Sequence, residues 1–412
     1  MMHLRRTLLT PYHYAFAASA ALRHGFPAKK FTVIGVTGTK GKSSVAEMLH
    51  TILTAAGHET ALASTIRFAT GKDSRPNLFK MTLPGRGFIQ KFLAEARGKG
   101  CTHAIIEITS EAALQYRHLG LELDALIFTN LQKEHLESHG SMEKYFNAKF
   151  RIGQALVHSS KRPRTIVANA DDAYGAAFLA LDVEKRIPFS FADAGDARVS
   201  EDGVSFSYKG VHFSIKQPGN FSLMNALAAL KTAEALGVPL ETCAEALAGL
   251  LRIGGRAERI EAGQNFIAIV DYAHTPDSLR ALYDAFQKHR KICVLGNTGG
   301  GRDTWKRPEM GRIADESCGK VILTNEDPYD EDPKKIVDEM AGGMTRPPEI
   351  IMDRREAIRA ALRAALPGDA VLITGKGTDP FIMSARGTRI PWSDADVVRE
   401  ELEKLVGSRQ EQ

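Results

Sequence analysis

The chain contains no run of about 18 apolar residues, so nothing in it reads as a membrane span. Cysteine is scarce. The four, Cys101, Cys243, Cys293 and Cys318, form no C-x-x-C pair and no zinc spacing. That excludes a zinc ribbon, and the four read as buried or free thiols of a reducing cytosol. No strong charge is present either. A net charge of +5 spread over 412 residues, without basic runs, does not point to nucleic acid, although an anionic substrate would suit it. There is no internal repeat. With 43% apolar and 25% charged residues the composition is that of an ordinary globular chain, and the length predicts two or three domains.

What is present is organised around Phe31 to Ser44, FTVIGVTGTKGKSS. Phe31 to Ile34 reads as a buried strand, and Val45 to Ala55 carries apolar residues at helical spacing. Between them stand Gly35, Gly38 and Gly41. Strand, glycine loop and helix together form the setting of a phosphate-binding loop. Backbone N–H groups converge on an anion there, and the helix N-terminus adds partial positive charge. Gly38, Thr39, Lys40, Gly41, Lys42, Ser43 and Ser44 are therefore the candidate nucleotide-binding residues, with Lys42 reaching the outer phosphates and the Ser43 hydroxyl ligating Mg²⁺. The strict pattern has a Gly five residues before Gly41, where this chain has Val36. Ahead of the loop, Arg5-Arg6 and the Ala-rich Ala15 to Leu22 mimic a signal peptide. Secretion would carry an ATP loop away from ATP, so a short amphipathic helix is expected instead.

The remaining elements alternate strand and helix in both halves. This predicts α/β sheets with helices on both faces. Residues 67–80 are polar and turn-rich and predict a surface loop, and Gly87 to Lys99 predicts a helix. Thr102 to Ser110 is a buried strand carrying Glu107 near its end, well placed to hold a metal ion beside the loop. Ala125 to Asn130 and Thr165 to Asp172 are further strands. Residues 186–217, with turns at Asp202-Gly203 and Lys209-Gly210, predict a small antiparallel appendage. Gly254-Gly255 marks a boundary, giving a lead-in over 1–30, a nucleotide domain over 31–254 and a second α/β domain over 255–412. Residues 407–412 read as a frayed polar tail.

The string GVTGTKGKSS resembles the nucleotide loop of the Mur ligases, the ATP-dependent amide-forming enzymes of peptidoglycan precursor synthesis. Folylpolyglutamate synthases share that superfamily. The resemblance implies a P-loop parallel-sheet domain followed by a smaller Rossmann-like domain, ATP and Mg²⁺ as cofactors, and a cytoplasmic monomer. It also implies an acceptor with a free carboxylate and an amino acid as substrates. Met81-Thr82-Leu83-Pro84 matches the Thr-Thr-Pro of tripeptide-forming members except at Leu83, which carries Thr82 over as a substrate contact. Glu107 corresponds to a metal ligand. TNLQKEHLESHG, residues 129–140, is similar to the segment whose histidine ligates a second metal ion, here His135; Glu134 replaces an Asp. SMEKYFNAKFRI, residues 141–152, resembles the helix with a carbamylated lysine, here Lys149. A carbamate would supply anionic oxygens where a free ammonium would repel Mg²⁺. Lys42, His135 and Lys149 are thus the implied catalytic set, and Ser43, Glu107, His135 and Lys149 the implied metal set.

Asn225 matches an asparagine near the adenine, while Ser222 replaces its companion. Gly255-Arg256-Ala257-Glu258 matches the opening of the last domain. DYAHTPDS, residues 271–278, is similar to the signature of the tripeptide-forming ligases and their cyanophycin-synthetase relatives, and implies that Asp271 and His274 contact the nucleotide. Arg256, Arg302, Asp327, Asp330 and Lys376 are the implied substrate contacts. Diaminopimelate-adding members carry Asp-Asn-Pro-Arg where this chain has Glu326-Asp327-Pro328-Tyr329, followed by Asp330. An acidic loop there suits lysine or another basic amino acid, unless Arg302 or Arg354 supplies the missing charge. Gly375-Lys376-Gly377 also matches, with Thr378-Asp379 in place of His-Glu. Only 30 residues precede Phe31, so the resemblance does not extend to the family's UDP-binding handle. Open alternatives are a ligase on another substrate, such as a cyanophycin-like peptide, an amidotransferase-type relative, and a non-catalytic nucleotide-binding regulator.

Overall fold

The computed structural model describes residues 2–85 and 87–410, and the side chains of 11–85 and 87–407. The Arg5-Arg6 side chains, and residues 411–412 of the expected polar tail, lie outside this set. A helix, Met2–Arg23, precedes the first strand, and the last helix, Asp394–Gln410, runs into the stretch expected to fray.

The first unit comprises Met1–Arg198, Ser205–Ile215 and Phe221–Leu250. Its main strands are β1 (Thr32–Thr37), β2 (Thr60–Ala63), β3 (Arg67–Thr70), β4 (Asp73–Pro76), β5 (His103–Glu107), β6 (Ala125–Phe128), β7 (Thr165–Asn169) and β8 (Lys185–Phe189). They form one sheet in the order β4-β3-β2-β5-β1-β6-β7-β8. Pairing is parallel from β2 to β8 and antiparallel only at β3 and β4. β1 is buried along nearly its whole length, which explains its unbroken apolar run. The chain crosses to one side of β1 for β2 and β5 and to the other for β6. The strand order therefore reverses at β1, and in such sheets ligands bind at the carboxyl ends beside the reversal.

Two expectations need correcting here. Residues 67–80 are not wholly a loop, because β3 and β4 form a hairpin across Gly71, which has φ +61°. Phe68 and Ala69 are buried while all of β4 is exposed, so the segment reads as polar from its outer strand. The stretch from Lys185 to Phe189 belongs to the main sheet, parallel to β7. Only β9 (Gly195–Ser200), β10 (Gly203–Tyr208) and β11 (Val211–Ile215) make the separate three-stranded sheet.

The second unit comprises Val199–Val204, Lys216–Asn220 and Leu251–Gln412. Its strands are β12 (Glu258–Arg259), β13 (Ile267–Asp271), β14 (Lys291–Leu295), β15 (Lys320–Leu323), β16 (Glu349–Ile350) and β17 (Ala370–Thr374). The order β12-β13-β17-β14-β15-β16 is parallel except at β12. A two-stranded ribbon, β18 (Phe381–Met383) with β19 (Arg389–Pro391), follows. Helices Arg354–Arg363 and Asp394–Gln410 cover one face through Ala357, Ile358, Ala361, Val398 and Leu402.

The cysteine reading is also corrected. Cys293 on β14 and Cys318 just before β15 are joined by a disulfide across 25 residues of chain, while Cys101 and Cys243 are free and buried. Neighbouring parallel strands bring the pair together, which no spacing rule could reveal. Closing a loop of this length stabilises the folded unit by about 3–4 kcal/mol in the chain-entropy picture. A non-reducing peptide map should link Cys293 to Cys318. Reduction, or Cys293→Ser, should lower denaturant stability of this unit by that order; equal stability with and without reductant would refute the contribution.

Candidate active site

At the carboxyl end of β1 the backbone turns sharply into the Lys42–Ala55 helix. Gly38 has φ +146° and Gly41 φ +82°. A Cβ on Gly38 would fall 1.9 Å from Thr129 Oγ1, and one on Gly41 would fall 2.3 Å from Asn225 Oδ1. Both positions therefore require glycine by space as well as by conformation. The loop is sewn to the end of β6. Thr39 N donates to Asn130 O at 2.8 Å, Lys40 N donates to Asn130 Oδ1 at 2.9 Å, and Thr129 Oγ1 donates to Lys40 O at 2.7 Å. Asn225, expected near an adenine, lies against Gly41.

Three amines surround this loop. Lys42 Nζ donates to Thr39 O at 3.0 Å. Lys149 Nζ, fully buried, donates to Gly38 O at 2.6 Å. Lys40 Nζ pairs with Glu134 at 3.1 Å. Burial, followed by the charges of Lys42 and Lys40, pulls the Lys149 ammonium well below its ordinary pKa, against the opposing pull of Glu134 and Glu107. The amine is thereby held towards its neutral, nucleophilic form.

On the other side of the loop Ser43 Oγ donates to Glu107 Oε2 at 3.0 Å. Glu107 is buried and also accepts from Thr65 N at 2.8 Å and Thr65 Oγ1 at 3.1 Å. Thr65 Oγ1 in turn lies 2.7 Å from Thr82 Oγ1, so Thr82 reaches the site through a hydroxyl relay. Among the described residues no cluster of three or more His, Cys, Asp and Glu forms a ready metal cage. The donors that do meet are a hydroxyl and a carboxylate, hard oxygens beside a phosphate loop. That set suits Mg²⁺, which keeps waters and phosphate oxygens as its remaining ligands. His135 is half-exposed with φ +59°, and its nitrogens stand 4.0 Å from Glu134 and 3.9 Å from Glu137.

Tyr145, absent from the sequence-derived set, ties these parts together. Its hydroxyl lies 3.1 Å from Thr39 Oγ1, which accepts from Gln132 N at 3.0 Å. Lys149 Nζ sits 4.7 Å from its ring centroid, and the His135 and His139 rings lie 5.9 Å and 4.9 Å away. The signal was in the sequence: Tyr145 stands four residues before Lys149 and so shares its helix face.

In the second unit the candidates gather at the carboxyl ends of β13, β17, β14 and β15. Asp271 accepts from Ala257 N at 2.6 Å and Ala273 N at 2.7 Å. His274 Nδ1 donates to Tyr272 O at 2.6 Å, and the Arg256 guanidinium lies 4.6 Å over the Tyr272 ring. Arg302 is exposed.

The acidic loop is not the open cation site that its composition suggested. Asp327 binds Lys376 Nζ at 2.9 Å and Met383 N at 2.7 Å. Lys376, expected to touch substrate, is completely buried and also donates to Phe381 O at 2.7 Å; burial lowers its pKa, but Asp379 and Asp327 prevail and raise it. Asp330 accepts from Arg386 N at 2.7 Å, Glu331 pairs with buried Arg307 at 2.8 Å, and Asp332 caps helix Pro333–Ala341. Arg354 donates from Nε and Nη2 to Asp394 at 2.8 and 2.7 Å, so it does not supply the missing charge. Glu326 differs. It is buried, Oε1 accepts from Thr298 Oγ1 at 2.8 Å, and Oε2 has no hydrogen-bond partner. Burial and then Asp327 raise its pKa.

Comparison with known proteins adds to this geometry. The Mur ligase middle domain matches residues 36–233, and the Mur ligase glutamate ligase domain matches residues 255–377. The chain is 36% identical to a UDP-N-acetylmuramyl-tripeptide synthetase of Roseiflexus sp. (strain RS-1), over 95% of this chain and 82% of that protein. It is 37% identical to a UDP-N-acetylmuramoyl-L-alanyl-D-glutamate–2,6-diaminopimelate ligase of Gloeobacter violaceus, over 94% and 80%. A solved structure of a ligase of that name aligns with TM-score 0.61 and 29% identity, covering 91% of this chain and 79% of its own. Folylpolyglutamate synthase of Mycobacterium tuberculosis shares the fold at TM-score 0.72 and 15% identity, over 89% and 93%.

The glycine geometry gives a direct test. Gly38→Ala should weaken binding of a fluorescent ATP analogue by about tenfold to a hundredfold, the equivalent of the ~1–3 kcal/mol typical of such backbone strain. An unchanged affinity would mean that the loop does not carry the nucleotide.

Proposed function

The chain belongs to the Mur ligase family of ATP-dependent acid–amino-acid ligases, and from that premise we propose that it adds an amino acid to a peptidoglycan-precursor acceptor in the cytoplasm. The observation that carries this is the pairing of the Ser43 hydroxyl with the Glu107 carboxylate at 3.0 Å, beside a glycine loop that also seats buried Lys149. In this reading the γ-phosphoryl group passes to the acceptor carboxylate. The amine of the amino acid then attacks the acyl phosphate, and phosphate leaves as the amide forms. Lys42 stabilises the charge developing on the phosphoryl oxygens. Ser43 and Glu107 would hold one Mg²⁺, and His135 with a carbamylated Lys149 a second. Those ions would neutralise phosphate charge when bound. The carbamate reading draws on an amine that burial draws towards its neutral form, since only the free lone pair adds CO₂. A cyanophycin-like acceptor is the second reading of the same chemistry.

Phosphate release that requires both acceptor and amine would separate a ligase from a nucleotide-binding regulator. Lys42→Ala should lower kcat by about a hundredfold to a thousandfold, as for other electrostatic donors. Lys149→Arg, unable to form a carbamate, should be as inactive. Normal turnover in either variant would overturn the role of that lysine.

For the amino acid itself we propose a basic side chain rather than diaminopimelate. Tyr329 stands where the diaminopimelate-adding pattern has Arg, and Glu326 presents an unpartnered carboxyl oxygen. The names of the relatives favour diaminopimelate, for which exposed Arg302 would be the cation. Comparing kcat/KM for lysine and diaminopimelate on one acceptor decides between them. We expect lysine to win. A preference of about tenfold for diaminopimelate, equivalent to about 1.4 kcal/mol, would reject the basic side chain.

A further inference from the structure

Helix Met2–Arg23 plays no part in the site described above, yet its surface is unusual. His13, Ala17, Ala20, Ala21 and His24 form its inner, less exposed stripe. Ala20 and Ala21 on that stripe abut Gly87 and Gly120 closely, leaving 2.6 Å and 3.1 Å to an ideal Cβ on each glycine. The outward stripe carries Tyr12, Ala15, Phe16, Ser19, Leu22 and Arg23. Tyr12 is 53% exposed, Phe16 39% and Leu22 70%. Tyr14, beside this stripe, is 51% exposed and meets Tyr116 edge-on at 5.5 Å. Large apolar side chains aligned on one open helix face are the informative kind of exposure, unlike scattered single ones.

The charge pattern says what would cover this face. No Asp or Glu occurs before Glu47, whereas Arg5, Arg6, Arg23, Lys29 and Lys30 do. Arg23, Lys29 and Lys30 are exposed at the end of the helix. A second copy of the chain seated on the same face would bring like charges together. Among the described residues no helix is long and apolar enough to cross a membrane. A helix with aromatic and aliphatic groups outward, basic residues at its end and no acid fits the headgroup boundary of an anionic membrane.

We infer that helix Met2–Arg23 lies on the surface of an anionic lipid bilayer, inserting Tyr12, Phe16 and Leu22 while Arg23, Lys29 and Lys30 meet the headgroups. This holds whichever acceptor or amino acid the ligase uses.

Flotation of the full chain with vesicles tests it. With phosphatidylcholine containing about one third phosphatidylglycerol the protein should float at low salt and be released as salt rises; with phosphatidylcholine alone it should stay at the bottom. The triple variant Tyr12→Ser, Phe16→Ser, Leu22→Ser should lower vesicle affinity by about tenfold or more. Its affinity for an ATP analogue should be unchanged, which checks that it folds. Arg23→Glu with Lys30→Glu, a surface change only, should abolish the preference for anionic vesicles. Failure of the wild-type chain to float with anionic vesicles would overturn the inference. So would equal flotation of the wild-type chain and a folded triple variant. A self-association that the triple variant abolishes, without vesicle binding, would assign the face to a second copy and overturn it as well.

Discussion

The nucleotide end of the first unit depends on one close approach, the passage of the Gly38 backbone against Thr129 at the end of β6. No side chain fits between them. Because the backbone comes so near, the loop can use the β6 end as a template. Asn130 takes two of its N–H groups, Thr129 takes the Lys40 carbonyl, and the Gly38 carbonyl is turned towards Lys149. The approach occurs where the strand order reverses, with β5 on one side of β1 and β6 on the other. Glu107 from β5 and the His135 segment from β6 are delivered to the loop by that topology.

This explains which parts were legible in the sequence. The strand, glycine loop and helix at Phe31 to Ala55 are contiguous, so residue type and period suffice to read them. Glu107 could be picked out from its own pattern, a buried strand ending in an acid, whereas Lys149 was singled out only by the resemblance of residues 141–152 to the family's helix. The Cys293–Cys318 bond, the Lys376–Asp327 pair and the Arg354–Asp394 pair were not readable. Each joins side chains that only the order of the second sheet makes neighbours. The β3–β4 hairpin was missed for a different reason. Its outer strand has no buried residue, so it shows no alternation against which a strand could be recognised.

The acidic loop shows what counting charges omits. The seven residues from Glu326 to Asp332 contain five acids, which in isolation would be a strong cation site. In the folded unit Lys376, Arg307, two backbone N–H groups and a helix cap engage four of them. Buried Lys376 would be costly without Asp327, and Asp327 without Lys376, so each is retained for the other. Glu326 is the acid of this stretch that keeps a carboxyl oxygen outside any hydrogen bond.

The loop of the first unit presents the opposite imbalance. Lys40, Lys42 and Lys149 gather around four residues of backbone, with Glu134 and Glu107 as nearby counter-charges. Glu134 is paired with Lys40, and Glu107 is held by Ser43 and Thr65. Lys42 and Lys149 each also donate to a loop carbonyl, a weaker partner than a carboxylate. Three full positive charges so close would repel one another strongly in a water-poor site. Part of that repulsion is relieved at Lys149, whose burial draws the amine towards its neutral form. Burial thus distinguishes two chemically identical side chains, since Lys149 at Gly38 is fully buried and drawn towards its neutral form while Lys42 is only partly buried.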